Sequence, residues 1–122
     1  MSVRKLRVFL IVEAGETALS TRKLVVESVG FNCLSAVATR QAYELLERHS
    51  ADLLIFDTSV TDVPLREAIT ELKRRLNGVP CYLLSSRPWA PDDAKDLVDG
   101  VFEKMRDPLE MIHELESRFP ER

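Results

Sequence analysis

Two unbroken apolar runs, Val8-Phe9-Leu10-Ile11-Val12 and Leu53-Leu54-Ile55-Phe56, constrain this chain more than any other feature. Each is far too short to span a membrane, and each stops at a carboxylate, Glu13 and Asp57. A strand with one wet face alternates apolar and polar residues, whereas a continuous run belongs to a strand covered on both faces. Val79 to Leu84 repeats the pattern and stops at Ser85-Ser86. Phe31 to Ala36 is interrupted by Asn32 and Ser35 and suits an edge or near-edge strand; Val101-Phe102 is a short last strand ending at Glu103-Lys104.

Helical patterns fill the gaps. One is expected from about Thr17 to Val29, stopped by Gly30. Thr39 can cap a second that runs to about His49, with Ala42, Leu45 and Leu46 inward. From Pro64 the third places Leu65, Ala68, Ile69, Leu72 and Leu76 on one face and stops at Asn77-Gly78. Pro88 and Pro91 bracket a loop with Trp89, and a short helix is expected from there to about Val98. Asp107-Pro108-Leu109-Glu110 reads as a capping box with proline at the first helical position, opening a last helix that buries Met111 or Ile112, Leu115 and Phe119. Five β/α units in succession predict an α/β fold: a doubly wound, five-stranded parallel sheet with helices on both faces.

The 122 residues suit one domain over 1–122, with only Pro120-Glu121-Arg122 after the last helix and so no output domain expected. A net charge of −3 gives no field that recruits nucleic acid or an anionic membrane. The small basic clusters, Arg4-Lys5 with Arg7 and Lys73-Arg74-Arg75, read as solvated flanks. Basic residues before an apolar run give the start a faint look of a signal peptide, but the run ends at Glu13 with no small-residue cleavage site. Cys33 and Cys81 lie apart in apolar segments without CxxC spacing, as expected of buried free thiols in a reducing cytoplasm.

In sheets of this type the chemistry lies outside the carboxyl ends of the strands. Those ends carry Glu13, Asp57, Ser85 and Lys104. Two carboxylates, a hydroxyl and an ammonium on one edge point to phosphoryl transfer. Asp57 could serve as a carboxylate nucleophile, a hard divalent cation could be held by the acids, and Ser85 and Lys104 could contact the phosphoryl oxygens. Other chemistries have less to build on. The four glycines are scattered, so no phosphate-cradling loop exists; His49 and His113 fall within helical patterns; neither cysteine has a base beside it.

Over its whole length the chain resembles the receiver domain of two-component response regulators, the CheY-like, flavodoxin-like (β/α)5 fold. The resemblance is carried by LIVE, LLIFD, LLSS and FEK at the ends of the first, third, fourth and fifth strands. It implies Asp57 as phosphoacceptor, Ser85 as the hydroxyl that moves to the phosphoryl group, and Lys104 as its ion-pair partner. It also implies Mg²⁺ held by Glu13, Asp57 and the backbone carbonyl of Ser59. Departures from the family pattern accompany this. Ala14 stands where a second acid would ligate Mg²⁺ directly, Met105 follows Lys104 in place of proline, and Val101 holds the aromatic switch position, with Phe102 one residue on and facing the other way. Glu16 reads as a helix-start carboxylate and not as a substitute for the missing acid.

The resemblance implies a stand-alone cytoplasmic signalling protein, not an enzyme, that accepts phosphate from a histidine kinase or phosphotransferase with weakened Mg²⁺ dependence. It would signal through the face made by the fourth helix, fifth strand and fifth helix, as a monomer or weak homodimer with no nucleic acid or membrane partner. The alternative is a pseudo-receiver, a protein-interaction module that works without phosphorylation. Trp89 could lie over the site or anchor a partner, or pack locally on the prolines beside it.

Overall fold

A computed structural model describes residues 7–119. Arg4 and Lys5 of the first basic cluster, and Pro120 to Arg122, lie outside the described residues. Five parallel strands form one sheet: β1 (Val8–Val12), β2 (Asn32–Ala36), β3 (Leu53–Asp57), β4 (Cys81–Ser85) and β5 (Gly100–Glu103), in the order β2-β1-β3-β4-β5. The winding reverses between β1 and β3, which is where an open sheet of this kind offers a crevice. Four helices flank it: α1 (Glu16–Ser28), α2 (Thr39–Leu45), α3 (Leu65–Arg75) and α4 (Pro108–Arg118).

Side chains on a strand alternate between faces, and here both faces are dry. Phe9, Ile11, Leu53, Ile55, Tyr82, Leu84 and Phe102 pack with Leu19 and Val26 of α1 and Met111, Ile112 and Leu115 of α4. Leu10, Val12, Leu54, Phe56 and Leu83 pack on the other side with Ala42 of α2 and Ala68, Ile69 and Leu72 of α3. This two-sided burial is why β1 and β3 read as continuous apolar runs. The interrupted β2 is an edge strand, as expected. Gly100 starts β5 directly against the Tyr82 ring: a Cβ there would sit 2.8 Å from Tyr82 Cε2. Tyr82 in turn stacks on Phe102, with ring centroids 5.1 Å apart.

Three local expectations are corrected. No α-helix forms between β4 and β5; residues 92–97 make successive turns. Two prolines stand upstream, and the segment is only about two turns long, with Ala94 fully buried and Ala90, Leu97 and Val98 partly buried against the core, too short a stretch to sustain a helix by itself. It is held instead by Asp99, whose carboxylate accepts from Cys81 N–H (2.9 Å) and whose own N–H donates to the Cys81 carbonyl (2.7 Å). The expected fifth helix is therefore α4, and the predicted partner face lacks its fourth helix.

Second, α2 ends at Leu45 and not at His49, and Thr39 does not cap it. The cap comes from the loop after β3: Asp62 accepts from Thr39 N–H (2.9 Å) and Arg40 N–H (3.0 Å). Burial alone would raise the Asp62 pKa, but the Arg40 and Thr39 N–H groups outweigh it and hold the carboxyl below its ordinary value. Third, only half of the expected capping box at α4 forms. Asp107 accepts from Leu109 N–H at 2.9 Å, while Glu110 turns to Arg106 at 2.9 Å.

Candidate functional site

The carboxyl ends of β1, β3, β4 and β5 bring Glu13, Asp57, Ser85 and Lys104 to the same edge of the sheet, but not into one cluster. Asp57 is the hub. It has no exposed surface, and three donors of the chain itself hold it. Oδ1 accepts from Ser59 N–H at 2.8 Å. Oδ2 accepts from Ala14 N–H at 3.0 Å and from Lys104 Nζ at 2.7 Å. The strands set this up. Asp57 continues the side-chain alternation of Leu53 and Ile55, Lys104 continues that of Phe102, and Lys104 N–H extends the β4–β5 ladder to the Ser85 carbonyl at 2.9 Å.

Glu13 takes a different partner. It follows Phe9 and Ile11 onto the α1 face, and Arg22 of α1 meets it there. Arg22 Nε donates to Oε1 at 2.8 Å and Nη2 to Oε2 at 3.1 Å. Glu13 has no exposed surface and Arg22 very little. The two-pronged pairing of a planar guanidinium with a carboxylate is the strongest geometry open to these groups. Glu13 was expected to share a metal with Asp57; its carboxylate is committed instead to an arginine that the sequence reading missed. The signal was present. Leu19, Arg22 and Val26 lie three and four residues apart, so Arg22 stands in the buried stripe of α1, where a lone cation needs an anion opposite.

Ser85 is buried at the end of β4, and its Oγ accepts from Arg87 N–H at 3.1 Å, closing the turn that follows. Ser59 is exposed and reaches Asp57 through its N–H. Ala14 contributes a backbone donor where an acid was expected. Val101 and Phe102 face opposite sides of the sheet, as the alternation required. Trp89 is 58% exposed, with the Arg87 guanidinium 5.6 Å from its ring centroid. His49 and His113 are exposed, away from the strand ends.

Mg²⁺ demands near-octahedral oxygen ligation and parts with its waters reluctantly. The residues present do not fit it. Glu13 has both oxygens on Arg22, Asp57 has both oxygens on donors of the chain, and position 14 offers no carboxylate. Among the described residues, no three His, Cys, Asp or Glu side chains come together in a way that could hold a metal ion.

Beside Arg22 lies a cavity of about 170 Å³, floored by Val101, Phe102 and Met111 and rimmed by Glu103, Arg106 and Glu110. Among the described residues no helix is long and apolar enough to cross a membrane.

No protein-family model matches the sequence, and no curated protein does. Solved structures match it closely in shape. A CheY-like response regulator receiver domain from Methylobacillus flagellatus superposes with a TM-score of 0.79 at 23% identity, covering 93% of this chain and 98% of that one. A CheY-like receiver domain protein from Methanospirillum hungatei gives 0.81 at 16% identity, covering 95% of each chain. The receiver domain of a sensor histidine kinase from Pseudomonas aeruginosa, solved with a magnesium ion coordinated in its active site cleft, gives 0.76 at 20% identity over 93% of this chain and 96% of that one. Sheet order, helix placement and these superpositions agree: the chain has the fold of the CheY-like response regulator receiver domains.

Proposed function

We propose that this chain is a protein-interaction module of two-component signalling, a pseudo-receiver whose shape is set by its own ion pairs and not by phosphate on Asp57. The observation that carries this reading is the closure of the acceptor site. Attack on a phosphodonor needs a carboxylate oxygen within about 3–3.5 Å of the phosphorus. Asp57 has no exposed surface, and groups of the chain already occupy both its oxygens. The module binds partners and catalyses nothing. Its two buried free thiols favour a reducing, cytoplasmic setting. Its partners are sought among histidine kinases, phosphotransferases and the proteins that answer to them. The contact face is drawn from β5 and α4, near which Trp89, Met105 (93% exposed) and Leu109 lie open.

One observation favours a second reading, in which Asp57 accepts phosphate with weakened Mg²⁺ dependence. The 2.7 Å Asp57–Lys104 pair already holds an ammonium where a phosphoryl oxygen would need one. The test is the intact mass of the protein after incubation with Mg²⁺ and acetyl phosphate, with Asp57→Asn as control. The expected result is no phosphoryl adduct on either. An adduct on the parent that the Asn variant lacks would overturn the pseudo-receiver reading in favour of the second.

A further inference from the structure

Two buried acids are each paired with a base at this end of the sheet. Glu13 and Asp57 have no exposed surface; Arg22 and Lys104 stand at 2.8 and 2.7 Å from them. The pairs are joined through the backbone, because the residue after Glu13 donates its N–H to Asp57 Oδ2 at 3.0 Å. Two buried carboxylates this near in the chain fold would require positive charge from somewhere. Commonly a hard divalent cation supplies it, by collecting carboxylate oxygens. Here a guanidinium does so from within the fold. Only 7% of the Arg22 side chain is exposed, and its two parallel bonds engage both Glu13 oxygens and place a positive charge where an incoming cation would have to come.

We infer that Arg22 is a resident counterion that stands in for a divalent cation at the Glu13–Asp57 end and makes the site metal-independent by holding Glu13. Replacing its charge with a neutral side chain opens a cation site anchored on the Glu13 carboxylate. This rests on the pseudo-receiver reading, yet the two fail separately. A phosphoryl adduct on the parent formed without divalent ions would end that reading and leave the role of Arg22 intact.

Manganese(II) is the probe, followed by loss of the free-ion electron paramagnetic resonance signal, with thermal unfolding measured in parallel. The full chain is compared as parent, Arg22→Gln and Glu13→Gln/Arg22→Gln. The parent and the double variant are expected to take up no Mn²⁺ at low millimolar levels. Arg22→Gln should take up Mn²⁺ in that range, at least about tenfold more tightly than either, and its Tm should rise with Mn²⁺ while that of the parent stays fixed. Equal uptake by parent and Arg22→Gln overturns the inference, as does uptake by the double variant that matches Arg22→Gln. An Arg22→Gln protein that remains unfolded at millimolar Mn²⁺ also overturns it, because the cation should then replace the lost charge.

Discussion

At the scale of single residues, the buried Glu13–Arg22 pair is costly to disturb. Removing one member of a buried pair strands the other as an uncompensated charge, whereas replacing both by apolar groups can be nearly neutral. Arg22→Ala should therefore lose about 3–5 kcal/mol in urea unfolding with an unchanged slope. Glu13→Leu/Arg22→Met should lose far less than either single change. Equal losses in the single and double variants would mean that packing, not charge, governs the site. Glu13 was legible as a residue with a partner, because it ends a dry strand. The sequence points across the sheet to Asp57, because the strand ends carry the other polar groups. Arg22 was hidden inside a helix, where a cation reads by default as surface.

At the scale of elements, the β4–β5 connection shows where periodicity misleads. Between Pro91 and Val98 the sequence offers helix formers but one buried side chain, Ala94, and turns result. Two kinds of tether hold the segment. Arg66 and Asp96 form a two-pronged surface pair at 2.8 and 3.1 Å, both side chains more than half exposed. Ala94 is sealed against the core. Exposed pairs contribute about 0–1 kcal/mol, whereas overfilling a packed site costs about 1–3 kcal/mol. Arg66→Ala is thus expected to leave the unfolding midpoint nearly unchanged, and Ala94→Leu to lower it clearly. The reverse ranking would identify the surface pair as the real anchor. The strands were legible almost to the residue, because two-sided burial leaves a continuous apolar record. The cap of α2 was not, because Asp62 supplies it from a loop more than twenty residues away in sequence.

At the scale of the whole molecule, both thiols report on the integrity of the core. Burial pushes Cys33 and Cys81 from 9.0 up to about 12. The folded state holds those protons more tightly than the unfolded chain does. This stabilisation is fully present below about pH 9 and is lost as pH rises towards about 12. Tyr82, pushed up by its own burial, acts in the same direction. The urea midpoint should fall through that range, and Cys33→Ala/Cys81→Ala should flatten the fall relative to its own value at neutral pH. A double variant that falls as steeply as the parent would assign the loss to other groups. Fold class and the Asp57–Lys104 partnership follow from pattern and resemblance together, because the sheet is built from contiguous runs.

The strand order also governs what a half-made chain looks like. Every ladder is parallel, so none closes as a local hairpin, and β3 lies between β1 and β4. As synthesis proceeds, β3 can pair with β1, but its other edge stays bare until Cys81–Ser85 has emerged. During that interval the nascent chain presents a strand that is apolar up to Asp57, with a free edge. Such an edge is where neighbouring nascent copies can join, so slower translation between Asp57 and Cys81 is expected to lower soluble yield.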